Sequence, residues 1–148
     1  MNHRYILVTL SELLAVNRDG ENGFSTCAEH AREAALKRAL LRRASARIAA
    51  GAELRDLIGQ LGGDPASRAR IIGASLRGWV NLNAALALND DDALVDECEH
   101  GEDHALEVYR NALDDHLPDF VRQVVLRQFE EAFSPGHDLV RISSVGRQ

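Results

Sequence analysis

The sequence predicts an all-α fold: two up-down helical hairpins packed as a four-helix bundle, with a helical segment crossing between them. Apolar residues recur three and four apart in four long stretches, the spacing that puts them on one face of a helix. Leu, Ala and Arg are abundant, aromatics are only 5%, and proline is confined to Pro65, Pro118 and Pro135, a balance that favours helix over strand. A Gly-Glu pair occurs twice in similar surroundings, Gly20-Glu21 and Gly101-Glu102, as a duplicated helical hairpin would leave it. At 148 residues the chain suffices for one domain, 1–148, with its own core.

The first helix is expected over about 4–29, where Leu10, Leu14, Phe24, Ala28 and Ala31 form a stripe whose gaps are filled by Asn17 and Glu21. A second stripe, Leu36, Leu40, Ala44, Arg47, Gly51, Leu54, Ile58 and Leu61, defines a helix over 34–61. It stops at Gly62-Gly63, and Asp64-Pro65 supplies an N-cap and a first-turn proline for the next segment. That segment is a crossover helix over about 66–88, containing Trp79, Leu82, Ala85 and Leu86. Asn89 to Asp92 interrupts it and caps a helix over 91–114, on which Leu94, Cys98, Glu102, Ala105, Tyr109 and Ala112 align. Pro118 opens the last helix, 118–133, with Val121, Val124, Gln128 and Glu131 on one stripe. Ser134-Pro135-Gly136 breaks or kinks it, and His137 to Val145 either resumes as helix or trails along the surface. A long connection between the two hairpins is the ferritin-like arrangement.

Composition narrows the function classes. The net charge of -6 argues against a general nucleic-acid binder, which carries a basic excess. Cys27 and Cys98 lack the spacing of a zinc knuckle or a disulfide framework, and read as small buried hydrophobes in a reducing compartment. The apolar run from Tyr5 to Leu10 is too short for a signal-peptide core, and no run reaches the length of a membrane span. A cytoplasmic, soluble protein is expected.

The chemistry sits where the stripes turn polar. Counted in turns from the helix ends, Glu21, Arg47, Glu102, Gln128 and Glu131 come to one level between antiparallel neighbours. A buried carboxylate needs a metal, a cation, a dense set of hydrogen bonds or a proton. In carboxylate-bridged two-metal bundles each helix pair contributes a Glu from one helix and a Glu-x-x-His from the other. Glu21 and Glu102 meet the first requirement twice. The second helix instead carries Ala46-Arg47-Ile48-Ala49-Ala50 at that level, and Ser134 stands three places before His137 on the last. Because a guanidinium stays protonated, Arg47 takes the cation's electrostatic place between two carboxylates, with Gln128 satisfying leftover acceptors. The expected reading is a buried Glu/Arg layer, no catalytic residues and no cofactor. Two alternatives stay open: an iron, manganese or zinc site held by Glu21, Glu102, Glu131 and His137, or a different register with the glutamates at the surface.

A resemblance joins these residues. The stretches Asp19-Gly20-Glu21-Asn22-Gly23-Phe24, Ala28-Glu29-His30, Leu61-Gly62-Gly63, Gly73-Ala74-Ser75-Leu76-Arg77-Gly78-Trp79, Glu97-Cys98-Glu99-His100-Gly101-Glu102-Asp103 and His137-Asp138 occur in order along nearly the whole chain. In these the chain resembles a bacterial ferritin-like family of four-helix-bundle proteins classed as a domain of unknown function, and the Gly-Glu elements resemble those of rubrerythrin-type di-iron proteins. The resemblance implies the bundle fold and a di-metal ancestry. It also implies a glutamate just before Arg47, where this chain has Ala46, and the Ser134-Pro135-Gly136 insertion departs from it as well. Both departures point to a degenerate metal site.

Other features carry weaker expectations. His100 and His104, one turn apart near Glu97 and Glu107, have chelating spacing but sit about 200° around the helix from Glu102, on the solvated side. Residues 90–107 hold nine acids and no Lys or Arg, while Arg32, Lys37, Arg38, Arg42, Arg43, Arg47 and Arg55 make the second helix basic. These faces either pack together or serve as a docking surface for a partner or a second subunit. Trp79 is expected to seat the crossover on the bundle as a core residue. The functional expectation is a non-catalytic, stress-associated or interaction protein. The alternatives are a metal oxidase, peroxidase or storage protein, and a small-molecule-binding bundle with its pocket beside Trp79 or Tyr109.

Overall fold

A computed structural model describes residues 3–65 and 78–133, and among these the chain is all helical. The helices are α1 (His3–His30), α2 (Ala34–Gln60), α3 (Leu82–Leu88), α4 (Asp91–Asp114) and α5 (Asp119–Ala132). Most of the crossover, residues 66–77, and everything after Phe133, including Ser134, Pro135, Gly136 and His137, lie outside the described residues. No described helix is long and apolar enough to cross a membrane.

The helix ends follow from local chemistry. At the α1–α2 turn the backbone N–H groups of Arg32 and Glu33 donate to the Asp91 carboxylate at 2.8 and 2.9 Å, so the start of α4 anchors that turn. At the end of α2, Gly62 at φ +82° lets its own N–H reach the Gly59 carbonyl at 3.0 Å and the Gly63 N–H reach Ile58 at 2.9 Å. That is the paired Schellman closure, which only a left-handed residue permits at low cost. The expected crossover helix is not continuous to residue 88. Gly78 turns the chain at φ +82° and a turn runs through Asn81 before α3 begins. Asn89 at φ 52° ends α3. Asp90 caps α4, accepting from the Asp92 N–H at 3.1 Å, and Asp91 and Asp92 place negative charge at its positive end.

α1 packs along α2 as an antiparallel hairpin and also along α4, while α5 doubles back beside α4; α2 and α5 barely meet. The Arg122 guanidinium pins the second hairpin by donating to the Leu113 carbonyl at 2.6 Å. Buried apolar side chains form two clusters. One joins Phe24, Cys27, Leu36, Leu40, Trp79 and Cys98 near the α1–α2 turn. The other joins Leu10, Leu13, Leu54, Ile58, Tyr109 and Val121 toward the opposite end. Between them lies a polar layer.

Candidate functional site

The layer is fixed first by where α1 and α4 turn small. The inward stripe of α1 runs Asn17, Gly20, Phe24, and that of α4 runs Cys98, Gly101, Ala105, all buried. It is therefore the glycine of each Gly-Glu pair that points inward, and the following glutamate is rotated by about 100° to the edge of the stripe. Larger groups lie against the glycines. A Cβ at Gly20 would stand 3.2 Å from the Arg47 side chain, and one at Gly101 would stand 2.2 Å from the Trp79 ring. Trp79 also covers Gly23 and meets Phe24 edge-on at 5.1 Å, so it is a core residue.

The sequence-predicted residues separate accordingly. Arg47 is 6% exposed and Gln128 3% exposed. Glu102 is half-buried and turned toward α2, where it pairs with Arg47 and with Arg43, the latter at 2.9 Å. Glu21 is half-buried on the α1 edge and takes no part in an ion pair among the described residues, so the expected Glu21–Arg47 pairing is replaced by Arg43–Glu102–Arg47. Glu131 lies outside the layer: it is 65% exposed and pairs with Arg127 at 3.4 Å. The inward face that Val121, Val125 and Gln128 define continues at Ala132, and residue 131 falls one position short of it. The Arg47 guanidinium sits between two rings, 5.8 Å from the centre of Phe24 and 5.6 Å from that of Phe133. Burial pulls the Arg43 guanidinium below its ordinary value; the Glu102 charge opposes this shift and the Arg47 charge adds to it.

A hydrogen-bond chain crosses the same layer and links all four long helices. The Asn17 amide nitrogen donates to the Leu13 carbonyl and to the Tyr109 hydroxyl, both at 2.8 Å. The hydroxyl donates to the Gln128 side-chain oxygen at 2.8 Å. The Gln128 nitrogen donates to the Ala50 carbonyl at 3.2 Å and to Glu53 at 3.0 Å. Carbonyls accept only, so Leu13 at one end and Ala50 at the other fix both amide orientations and hence the direction of the tyrosine proton. Gln128 thus serves Tyr109, Ala50 and Glu53 rather than Glu21 or Glu102. Asn17, Arg43, Glu53 and Tyr109 had no assigned role in the layer. Asn17 was visible as a polar gap in the α1 stripe, and Arg43 as the residue one turn before Arg47 on the same face.

Burial pushes the Tyr109 phenol above its ordinary value, and the hydrogen bond from Asn17 partly offsets this. The sign follows from linkage: above about pH 10 the unfolded phenol loses its proton while the native one keeps it, so stability falls as pH rises. Tyr109→Phe is expected to cost about 1–3 kcal/mol at neutral pH, because it leaves the Gln128 oxygen unpaired, and to flatten the loss above pH 10. Urea unfolding at neutral pH and near pH 11 checks both effects.

Beyond the ion pair, α2 and α5 are separated by a groove of about 340 Å³. It exists because α2 offers Ala39, Ala46, Ala49 and Ala50, and α5 offers Ala132, where a closed seam would need larger side chains. Its floor is Arg47, Glu102, Tyr109 and Gln128. One end is lined by Arg42 and Arg43; at the other, Arg127 pairs with Glu53 and Glu131.

The thiols of Cys27 and Cys98 are buried neighbours; hydrogen bonding to Cys27, then burial, holds Cys98 well above its ordinary value. His100 is 60% exposed, 3.2 Å from the buried Glu97, whose other oxygen is without a hydrogen bond among the described residues. Among the described residues no group of three or more His, Cys, Asp or Glu lies close enough to hold a metal ion. On α2, Lys37, Arg38, Arg42 and Arg55 are exposed, and on α4 Asp96, Asp103 and Glu107 are exposed; the inward link between the two faces is the Arg43–Glu102–Arg47 pair.

No curated protein matches the chain. A family model matches residues 6–115, which takes in most of α1 and all of α2, α3 and α4, with Asn17, Arg43, Arg47, Glu102 and Tyr109, and ends before α5. The chain therefore belongs to the family described as Domain of unknown function (DUF2383).

Proposed function

We propose that the chain is a single-domain ferritin-like four-helix bundle that has exchanged its metal for an internal guanidinium pair and works by binding rather than by catalysis. The observation that carries this reading is Arg43 and Arg47 together on the Glu102 carboxylate. Two-metal bundles place carboxylates and imidazoles at this level. Here both Glu102 oxygens are taken by permanent cations, Glu21 stands off on the α1 edge and Glu131 is exposed. This donor set suits a guanidinium better than a divalent ion, whose approach the two like charges would oppose. The groove beside Tyr109 supports binding, since its volume lies at the lower end of the roughly 300–1,000 Å³ of ligand pockets.

Elemental analysis of protein purified without chelators tests this. The reading expects no stoichiometric iron, manganese or zinc. Stoichiometric metal that disappears in the Glu21→Ala, Glu102→Ala double variant contradicts it and restores the di-metal alternative.

A further inference from the structure

The charge in the groove is unevenly distributed. At one end Arg42, Arg43 and Arg47 line the groove with one carboxylate, Glu102, which pairs with Arg43 and Arg47, while the Glu99 charge also acts on Arg43 from outside the lining. Arg42 is exposed and has no acidic partner among the described residues. At the other end Arg127 faces two carboxylates, Glu53 and Glu131. Between the two ends the wall is alanine, and Tyr109 and Gln128 in the floor already spend their hydrogen bonds on each other, Asn17, Ala50 and Glu53. The middle of the groove therefore offers apolar surface, and its charged end offers an unbalanced cation. The partial burial of Arg43 beside Arg47 makes an added anion favourable there, because a counter-charge is screened less than in bulk water.

We propose that the α2–α5 groove binds a small amphipathic anion, its carboxylate held by Arg42 and Arg43 and its hydrocarbon laid along Ala46, Ala49 and Ala50. This deepens the binding reading above by naming the ligand class. Arginine suits a carboxylate because its planar donor pair can meet both oxygens. The carboxylate end of Glu53 and Glu131 repels a second anion, so monoanions are preferred to dianions of the same length.

Decanoate titrated calorimetrically into the full chain, below its micellar concentration, tests the proposal, with decanol and decylamine as controls and the metal content of the same sample measured. Decanoate is expected to bind at one site, at least 10-fold more tightly than either control. Arg42→Ala should weaken it by about 10-fold, and Ala46→Trp, at an exposed groove position, should abolish it while thermal unfolding stays cooperative. Equal binding of decanol, or decanoate binding unchanged in Ala46→Trp, overturns the proposal. Absence of decanoate binding to metal-free protein overturns the ligand class and leaves the metal-free reading standing, whereas stoichiometric metal overturns the reading itself.

Discussion

Glu102→Ala is expected to be among the most destabilising single substitutions in the chain, at about 3–5 kcal/mol, because it strips the shared counter-charge from two guanidiniums at once. Arg47 is 6% exposed and Arg43 has a side chain 12% exposed, so neither can recover its hydration by a small rotation. Their like charges are then left facing each other across a partly dehydrated site. Arg47→Ala should cost less, since Arg43 still holds Glu102, although it also loses packing against Phe24, Phe133 and Gly20. The order of the two effects is informative. Chemical unfolding of both variants at neutral pH checks it, and a Glu102→Ala variant within about 0.5 kcal/mol of the parent would place that carboxylate among ordinary surface pairs.

The second large effect is expected at the Trp79 seat. Trp79→Ala should cost about 3–5 kcal/mol, the usual cost of deleting a buried large aromatic. The ring touches α1 at Gly23 and α4 at Gly101, and it is the chain's only tryptophan, so its fluorescence reports the same site. Gly101→Ala carries a sign test. In the parent its Cβ would fall 2.2 Å from a rigid ring, and overpacking of this kind costs about 1–3 kcal/mol. In a Trp79→Ala background the obstruction is gone, and replacing a mid-helix glycine should stabilise by up to about 1 kcal/mol. Stabilisation in both backgrounds would mean that Trp79 does not sit on Gly101.

How far the residues announced this structure differs between scaffold and site. Apolar spacing together with end signals located α1, α2, α4 and α5 to within a residue, because Gly62-Gly63, the aspartates from Asp90 and Pro118 have definite backbone consequences. The Gly-Glu pairs marked the right level of the helices, but in both it is the glycine that lies on the inward stripe, and of the two glutamates only Glu102 joins the ion pair there. A stripe of threes and fours passes through position 20 or 21 equally well, and preference for the carboxylate ignored that a bulky partner needs a glycine to lie against. Glu131 was misplaced for a similar reason, since α5 turns Val125 and Gln128 inward and leaves 131 beyond the seam. Tyr109 looked like one more apolar stripe residue; that its hydroxyl joins Asn17 to Gln128 depends on the relative depth of three helices, which no local pattern encodes. The α2–α5 groove was equally hidden, because small residues on a helix face mark close approach as readily as a gap.

On the proposed reading a guanidinium–carboxylate pair, rather than a metal, holds the polar layer together. A double-mutant cycle on Arg47 and Glu102 by urea unfolding, using Arg47→Met and Glu102→Leu, measures that link directly. The double variant is expected to be more stable than the sum of the single losses implies, with a coupling of about 2 kcal/mol or more, because once Glu102 is gone Arg47→Met removes a guanidinium that no longer has its partner and that faces the like charge of Arg43, which stays unpaired in both backgrounds. Losses that add to within about 0.5 kcal/mol would show that the two side chains do not depend on each other and would contradict it.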